Sequence, residues 1–279
     1  MREYIDLHVH TNASDGSLSP REAVEEAAKI GLKAIAVTDH DTADGLAEAM
    51  EWGAKLGMEV VPGIELSVDY KDHGVHILAY FVEGENPHLQ ELLSWVVSER
   101  ERRNEEIAAA MRADGYDVTL AALREMFPGA IIGRPHFAAA LVKAGAVSSV
   151  PEGFEKYLNR GGKYYRKRKY IPMDMAFETI AKCGAKAVMA HPLQYKFSHD
   201  ELMELVKLLK EKGLSGMECI YSIYTEEQRE YLMVIAKEME LCITAGSDFH
   251  GSGKPHIKIG SGCGDMKAPY ELLEKLKNI

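Results

Sequence analysis

Seven short apolar runs punctuate the chain, each rich in β-branched or aliphatic residues and each closed by polar ones. They are YIDLHVH (4–10), KAIAVTDH (33–40), EVVPGIELSV (59–68), VHILAYFV (75–82), KAVMAHP (186–192), GMECIYS (216–222) and LCITAGSDFH (241–250). Most are separated by stretches of helical periodicity, the signature of parallel βα units. The first helix has clear boundaries: Ser19 as N-cap, Pro20 at the first helical position, Glu22 completing a capping box, and Gly31 as the stop. The third and fourth runs face each other across YKDHG, which predicts a hairpin bringing Glu65 and His76 nearly opposite one another.

The alternation breaks between about residues 86 and 172. There SWVVSERERRNEEIAAAMRADGY, TLAALREMF and RPHFAAALVKAG follow one another as helical patterns with no strand between them. We therefore expect a barrel-like α/β body built from residues 1–85 and 172–279, interrupted by a helical cap at 86–171. The cap closes on NRGGKYYRKRKYIP, which concentrates Arg160, Lys163, Arg166, Lys167, Arg168 and Lys169. The last three of the consecutive basic residues read as a solvated charge run.

The 279 residues carry a formal charge of −10, with 46% hydrophobic and 27% charged side chains. That balance opposes broad binding to duplex DNA or to an anionic membrane. With no leader pattern and no apolar run near the roughly 18 residues of a membrane span, the expected location is cytoplasmic. Cys183, Cys219, Cys242 and Cys263 form no paired spacing, so buried reduced thiols are expected. No glycine-rich phosphate loop is present.

The polar residues that end the runs carry the chemistry. His8 and His10 are two apart, so on a strand both imidazoles point to one face. Asp248 and His250 repeat that spacing after the last run, while His40, Glu65 and His191 close or follow three others. In parallel α/β folds such strand ends share one rim, which brings distant residues together. Each residue alone has an ordinary explanation: a lone histidine is usually a hydrogen-bonded core residue, and Asp15 or Asp41 can be a cap or turn residue. Burying the whole set without a cation is far more costly, so more than one metal ion is expected. The mixture of imidazole and carboxylate without thiolate suits manganese, iron or zinc alike. Asp39 and Asp41 read as supporting residues, Asp39 being the better placed to orient a ligating imidazole.

DLHVHTNASDG, AVTDHDT, GIELS, HILAY, AHP and GSDFHG together resemble the successive motifs of the PHP (polymerase and histidinol phosphatase) phosphoesterase family. The resemblance runs from the first strand to about residue 251. It implies a distorted (β/α)7 barrel and two or three divalent ions. His8, His10, Glu65 and Asp248 would hold one; Glu65, His76 and His191 a second; Asp15, His40 and His250 a third. It further implies hydrolysis of a phosphomonoester by a hydroxide bridging the metals, with Glu65, Asp248 and His250 as the catalytic residues.

GRPHFAAALV and the basic loop resemble the stand-alone branch acting on nucleoside 3',5'-bisphosphates and on the 5' ends of short RNA. The expected substrate is thus a small phosphorylated nucleotide, converted to the 5'-monophosphate, with short 5'-phosphorylated RNA beside it. Arg134, His136, Lys163 and Arg166 are the candidates to grip phosphate, since a planar guanidinium suits an oxyanion. A phosphatase or cyclic phosphodiesterase for another metabolite, such as histidinol phosphate, is the alternative; an amidohydrolase or a non-catalytic metal-binding module ranks below it.

Overall fold

The computed structural model describes residues 3–128 and 131–279. Its centre is a seven-stranded sheet in the order β1-β2-β3-β4-β5-β6-β7. The strands are β1 (Ile5–Val9), β2 (Ala34–Val37), β3 (Glu59–Tyr70), β4 (His73–Tyr80), β5 (Lys186–Met189), β6 (Leu214–Tyr221) and β7 (Cys242–Gly246). All seven coincide with the apolar runs of the sequence.

Neighbours pair in parallel except around β4, which is antiparallel to both β3 and β5. The cause is the hairpin. Lys71 and Asp72 both adopt left-handed backbone angles, φ 48° and 68°, so a two-residue turn reverses the chain and leaves no room for a crossover helix. The sheet curls until its outer strands approach: the Asp248 amide donates to His8 O at 2.8 Å, and the His10 amide to Phe249 O at 3.0 Å. The result is a nearly closed, distorted (β/α)7 barrel.

Helices α1 (Pro20–Lys29) and α2 (Leu46–Leu56) follow β1 and β2. Ser19 Oγ accepts from the Glu22 amide at 3.2 Å while Glu22 accepts from the Ser19 amide at 2.8 Å, the expected capping box. Gly31, at φ 79°, ends the helix in a conformation glycine adopts without strain. The core gathers fully buried Ile5, Leu7, Leu78 and Val188. Each such side chain contributes about 1.5–3 kcal/mol. Tyr80, buried among them, satisfies its hydroxyl on Leu7 O at 2.7 Å.

Met1–Leu93 with Tyr170–Ile279 form one compact unit, and Ser94–Lys169 a second. The second begins within α3 (Pro87–Ala113) and continues through α4 (Leu120–Met126), α5 (Arg134–Lys143) and α6 (Val150–Gly153). It has a core of its own, built on Ile107, Met111, Leu123, Phe137, Leu141 and Leu158. The first unit resumes with α7 (Met173–Lys182), α8 (His199–Glu211), α9 (Glu226–Glu238) and α10 (Glu271–Lys277).

Among the described residues no helix is long and apolar enough to cross a membrane. The expectation of buried thiols is corrected: Cys219 is buried, Cys183 and Cys242 are half-buried, and Cys263, in the glycine-rich loop after β7, is exposed.

Candidate metal centre

The barrel brings all nine candidate ligands to one end. His8 lies in β1 and His10 just beyond it, both wholly buried, with their Nε2 atoms 3.1 Å apart. Such a separation aims two imidazoles at a common point. His40 follows β2, Glu65 lies in β3, and His191 follows β5. His76 reaches the same rim because β4 runs backwards, placing the beginning of that strand where the others end. Glu65 pairs with Leu78 and Ser67 with His76, so the predicted opposition of Glu65 and His76 is a diagonal one on a shared face.

Glu65 is the hub. Its Oε1 lies 2.9 Å from His191 Nε2, 3.0 Å from His76 Nδ1 and 3.4 Å from His8 Nε2. Its Oε2 lies 2.9 Å from His40 Nδ1 and 3.3 Å from His10 Nε2. Asp248 Oδ1 stands 3.3 Å from His10 Nε2. Asp15 Oδ1 approaches His250 Nε2 at 3.3 Å, and Asp15 Oδ2 approaches His40 Nε2 at 3.9 Å. Among the described residues, ligand atoms converge within 4.8 Å in four overlapping sets: His8, His10 and Asp248; His8, Glu65 and His191; His40, Glu65 and His76; and His10, Asp15, His40 and His250.

These side chains satisfy one another only in part. Among the described residues His10 Nδ1, His40 Nδ1, His191 Nδ1 and Glu65 Oε2 are buried without a hydrogen-bond partner, the close approach of His40 to Glu65 being misaligned for one. Each such atom costs about 1–3 kcal/mol if left so. A nitrogen and oxygen donor set with orphaned buried atoms fits divalent cations.

The electrostatics agree. Burial opposes ionisation of Glu65, yet the surrounding imidazoles of His76, His40 and His8 hold its carboxyl well below the usual range. Asp248 is depressed in the same way by His10 and His8, and Asp15 by His250 and His40, against burial in both cases. Burial would lower the imidazoles, but Glu218 and Glu65 hold His8 well above its ordinary value, and Asp248 and Glu65 raise His10 to about 9. His76, where burial prevails, is lowered. The carboxylates are thus committed to the charged form.

Several supporting residues escaped the sequence reading. Glu218, fully buried in β6, accepts from His8 Nδ1 at 2.9 Å and from the His191 amide at 2.8 Å. Asp6 accepts from the amides of Ser247 and Gly260 at 2.8 and 2.7 Å, tying β1 to the segment after β7. Their signal was an acid inside an apolar run, visible but unassignable without knowing the partner strand.

Asp39 was expected to orient an imidazole. It instead takes the Thr11 amide and hydroxyl, both at 2.7 Å, and the Ser14 hydroxyl at 2.6 Å, fixing the loop that carries Asp15. The loop offers that carboxylate one backbone amide and two hydroxyls, all at short range, and Glu218 already serves His8.

The four candidate phosphate-gripping residues lie in the second unit. Arg134 donates to Leu158 O at 3.3 Å, and Arg166 to Tyr165 O at 2.9 Å. Lys163 pairs with Asp114 at 2.6 Å. His136 Nδ1 accepts the Gly133 amide at 3.0 Å, capping α5. A further residue joins them: Arg103, whose Nε is buried without a partner among the described residues. Burial and the neighbouring guanidiniums of Arg168, Arg134 and Arg100 lower it to about 10.

The PHP domain profile matches residues 6–128. A 5'-3' exoribonuclease of Haemophilus influenzae is 34% identical over 250 residues, covering 90% of this chain and 91% of that protein. The chain belongs to the PHP family. A 3',5'-nucleoside bisphosphate phosphatase of Chromobacterium violaceum is 32% identical over 92% of this chain and 90% of its own length. Among solved structures, one from Bifidobacterium adolescentis described as a metal-dependent phosphoesterase superposes with a TM-score of 0.77 at 29% identity, covering 98% of this chain and 95% of that one. As a PHP protein this chain is a metal-dependent phosphoesterase.

Proposed function

We propose that the chain releases the 3'-phosphate of nucleoside 3',5'-bisphosphates to give the 5'-monophosphate, and that it also trims short 5'-phosphorylated RNA. The observation that carries this reading is Glu65, one fully buried carboxylate facing five imidazoles. The names of the relatives, an exoribonuclease and a bisphosphate phosphatase, support the substrate class.

In this reading His8, His10, Glu65 and Asp248 hold one ion, Glu65, His76 and His191 a second, and Asp15, His40 and His250 a third. When bound, divalent ions such as manganese, iron or zinc supply Lewis-acid polarisation of the phosphoryl group and an acidified water near neutral pH. Glu65 ties the groups together because its two oxygens face different imidazoles. Glu65 and Asp248, both driven to the ionised form, hold positive charge and have no proton to give the leaving oxygen. With the imidazole of His250 assigned to an ion, that leaves a water as the acid.

The second unit supplies oxyanion binding through Arg134, Arg166, Lys163 and His136, joined by Arg103. A guanidinium kept among other guanidiniums is poised for an anion, which relieves their mutual repulsion. Phosphate release from adenosine 3',5'-bisphosphate, AMP, histidinol phosphate, a cyclic phosphodiester and a short 5'-phosphorylated RNA tests the reading. The bisphosphate is expected to have the highest kcat/KM. Clear preference for a substrate with one phosphate overturns it.

A further inference from the structure

The two oxygens of Asp248 face different surroundings. Oδ1 lies 3.3 Å from His10 Nε2 and 3.3 Å from His250 Nδ1, on the side of the imidazoles. Oδ2 is turned away and accepts from the Tyr221 hydroxyl and the Lys254 ammonium, each at 2.6 Å. The backbone contributes as well: Asp248 is left-handed at φ 55°, a conformation costing of order 1–3 kcal/mol that survives only when the surroundings enforce it.

Lys254 reaches this oxygen through a short turn. Gly251, at φ 63°, lets the chain double back, and the Lys254 amide donates to Gly251 O at 3.2 Å. A Cβ on Gly251 would stand 2.0 Å from Ser17 Oγ, so the turn is packed against the loop bearing Asp15. Tyr221, at the end of β6, is buried and reaches the same oxygen from that strand.

We propose that Tyr221 and Lys254 are a positioning pair that saturates Oδ2 of Asp248 and so reserves Oδ1 alone for an ion. The inference rests on the reading of Asp248 as a metal ligand. A carboxylate free to rotate can offer both oxygens to one ion and fill a coordination position that hydrolysis needs open. Pinning Oδ2 prevents this. The two donors differ in kind: Tyr221 supplies direction, and Lys254 supplies direction with a positive charge.

The test compares wild type with Tyr221→Phe, Lys254→Met, the double variant and Lys254→Arg. Zinc and manganese affinity is measured by competition with a chromophoric chelator. kcat and KM for adenosine 3',5'-bisphosphate are measured at saturating metal, and thermal unfolding checks that each variant folds. Each single variant is expected to lose about 10–100-fold in affinity for one ion or in kcat, the usual cost of removing a group that orients a ligand. KM should stay within about twofold, since neither residue is assigned to the substrate. Lys254→Arg should recover most of the loss, and the double variant should lose less than the sum of the singles, because both act on one oxygen.

Folded single variants with wild-type metal affinity and kcat overturn the proposal. So does a loss confined to KM, which makes Lys254 a substrate contact, or a loss seen only as lowered unfolding temperature. Should wild type release no phosphate while the variants still lose metal, the functional reading fails and the positioning role stands.

Discussion

Glu218 Oε1 lies 2.9 Å from Nδ1 of His8, leaving Nε2 of that imidazole to face Glu65 and His10. The second oxygen of Glu218 holds the backbone of His191, so one buried carboxylate orients two strand ends. A carboxylate on the far nitrogen fixes the ring and raises its basicity as a ligand. Glu218→Ala is therefore expected to weaken metal affinity by about 10–100-fold. Metal content after dialysis against a competing chelator measures it; wild-type retention contradicts the role.

The same pair is held by a close approach of β7. A Cβ on Gly246 would stand 2.1 Å from His8 Cβ and 2.5 Å from Glu218 Oε1. Gly246→Ala thus forces β1 and β6 apart, a strain of about 1–3 kcal/mol. Denaturant unfolding should show that loss together with reduced metal content. Unchanged stability with full metal occupancy would show that the barrel yields at this point.

Protons and metal ions compete for His10. Its imidazole is raised to about 9, because Asp248 and Glu65 outweigh burial. Ligation requires the neutral ring, so metal uptake at pH 7 releases protons and apparent affinity strengthens as pH rises toward 9. In chelated protein the sign reverses. A folded pKa above the unfolded value of about 6.5 gives stability that is complete below 6.5 and lost as pH rises further. Calorimetric titration in buffers of different ionisation enthalpy counts the protons; affinity flat from pH 6.5 to 9 contradicts the competition.

Arg103 sits among Arg168, Arg134 and Arg100, its Nε unpartnered among the described residues. Removing a charge-assisted contact to an oxyanion costs about 1.5–3 kcal/mol, or roughly 10–100-fold. Arg103→Ala should raise KM for a 3',5'-bisphosphate by that factor and change KM for a simple aryl phosphate little. Equal effects on both substrates remove the second unit from anion recognition.

The strands were legible because each is a short apolar run ended by polar residues, and the Glu65–His76 hairpin because its turn is compact. The ligands at strand ends were legible for the same reason: a fold that aligns those ends needs no knowledge of side-chain packing. Glu218 and Asp6 were not. Their partners His8 and Ser247 lie 210 and 241 positions away, and inside an apolar run an acid gives no sign of which neighbour it will meet. Arg103 was hidden otherwise, since a basic residue in SERERRNEE reads as an exposed helix face. Asp39 drew attention for being next to His40, yet sequence adjacency does not tell that its carboxylate turns to Thr11 and Ser14.

Nine residues at the barrel end form the proposed multi-ion centre for phosphoester hydrolysis, with Glu65 as its hub. Its most direct test is phosphate release from adenosine 3',5'-bisphosphate by wild type and Glu65→Gln, with bound metal quantified in the same samples. Wild type should carry two or three divalent ions and release phosphate, lose both on chelation, and regain both on metal return, while Glu65→Gln retains fewer ions and loses at least about 100-fold in kcat. A Glu65→Gln protein with wild-type metal content and turnover, or a fully metal-loaded wild type that hydrolyses no phosphoester, would contradict the account.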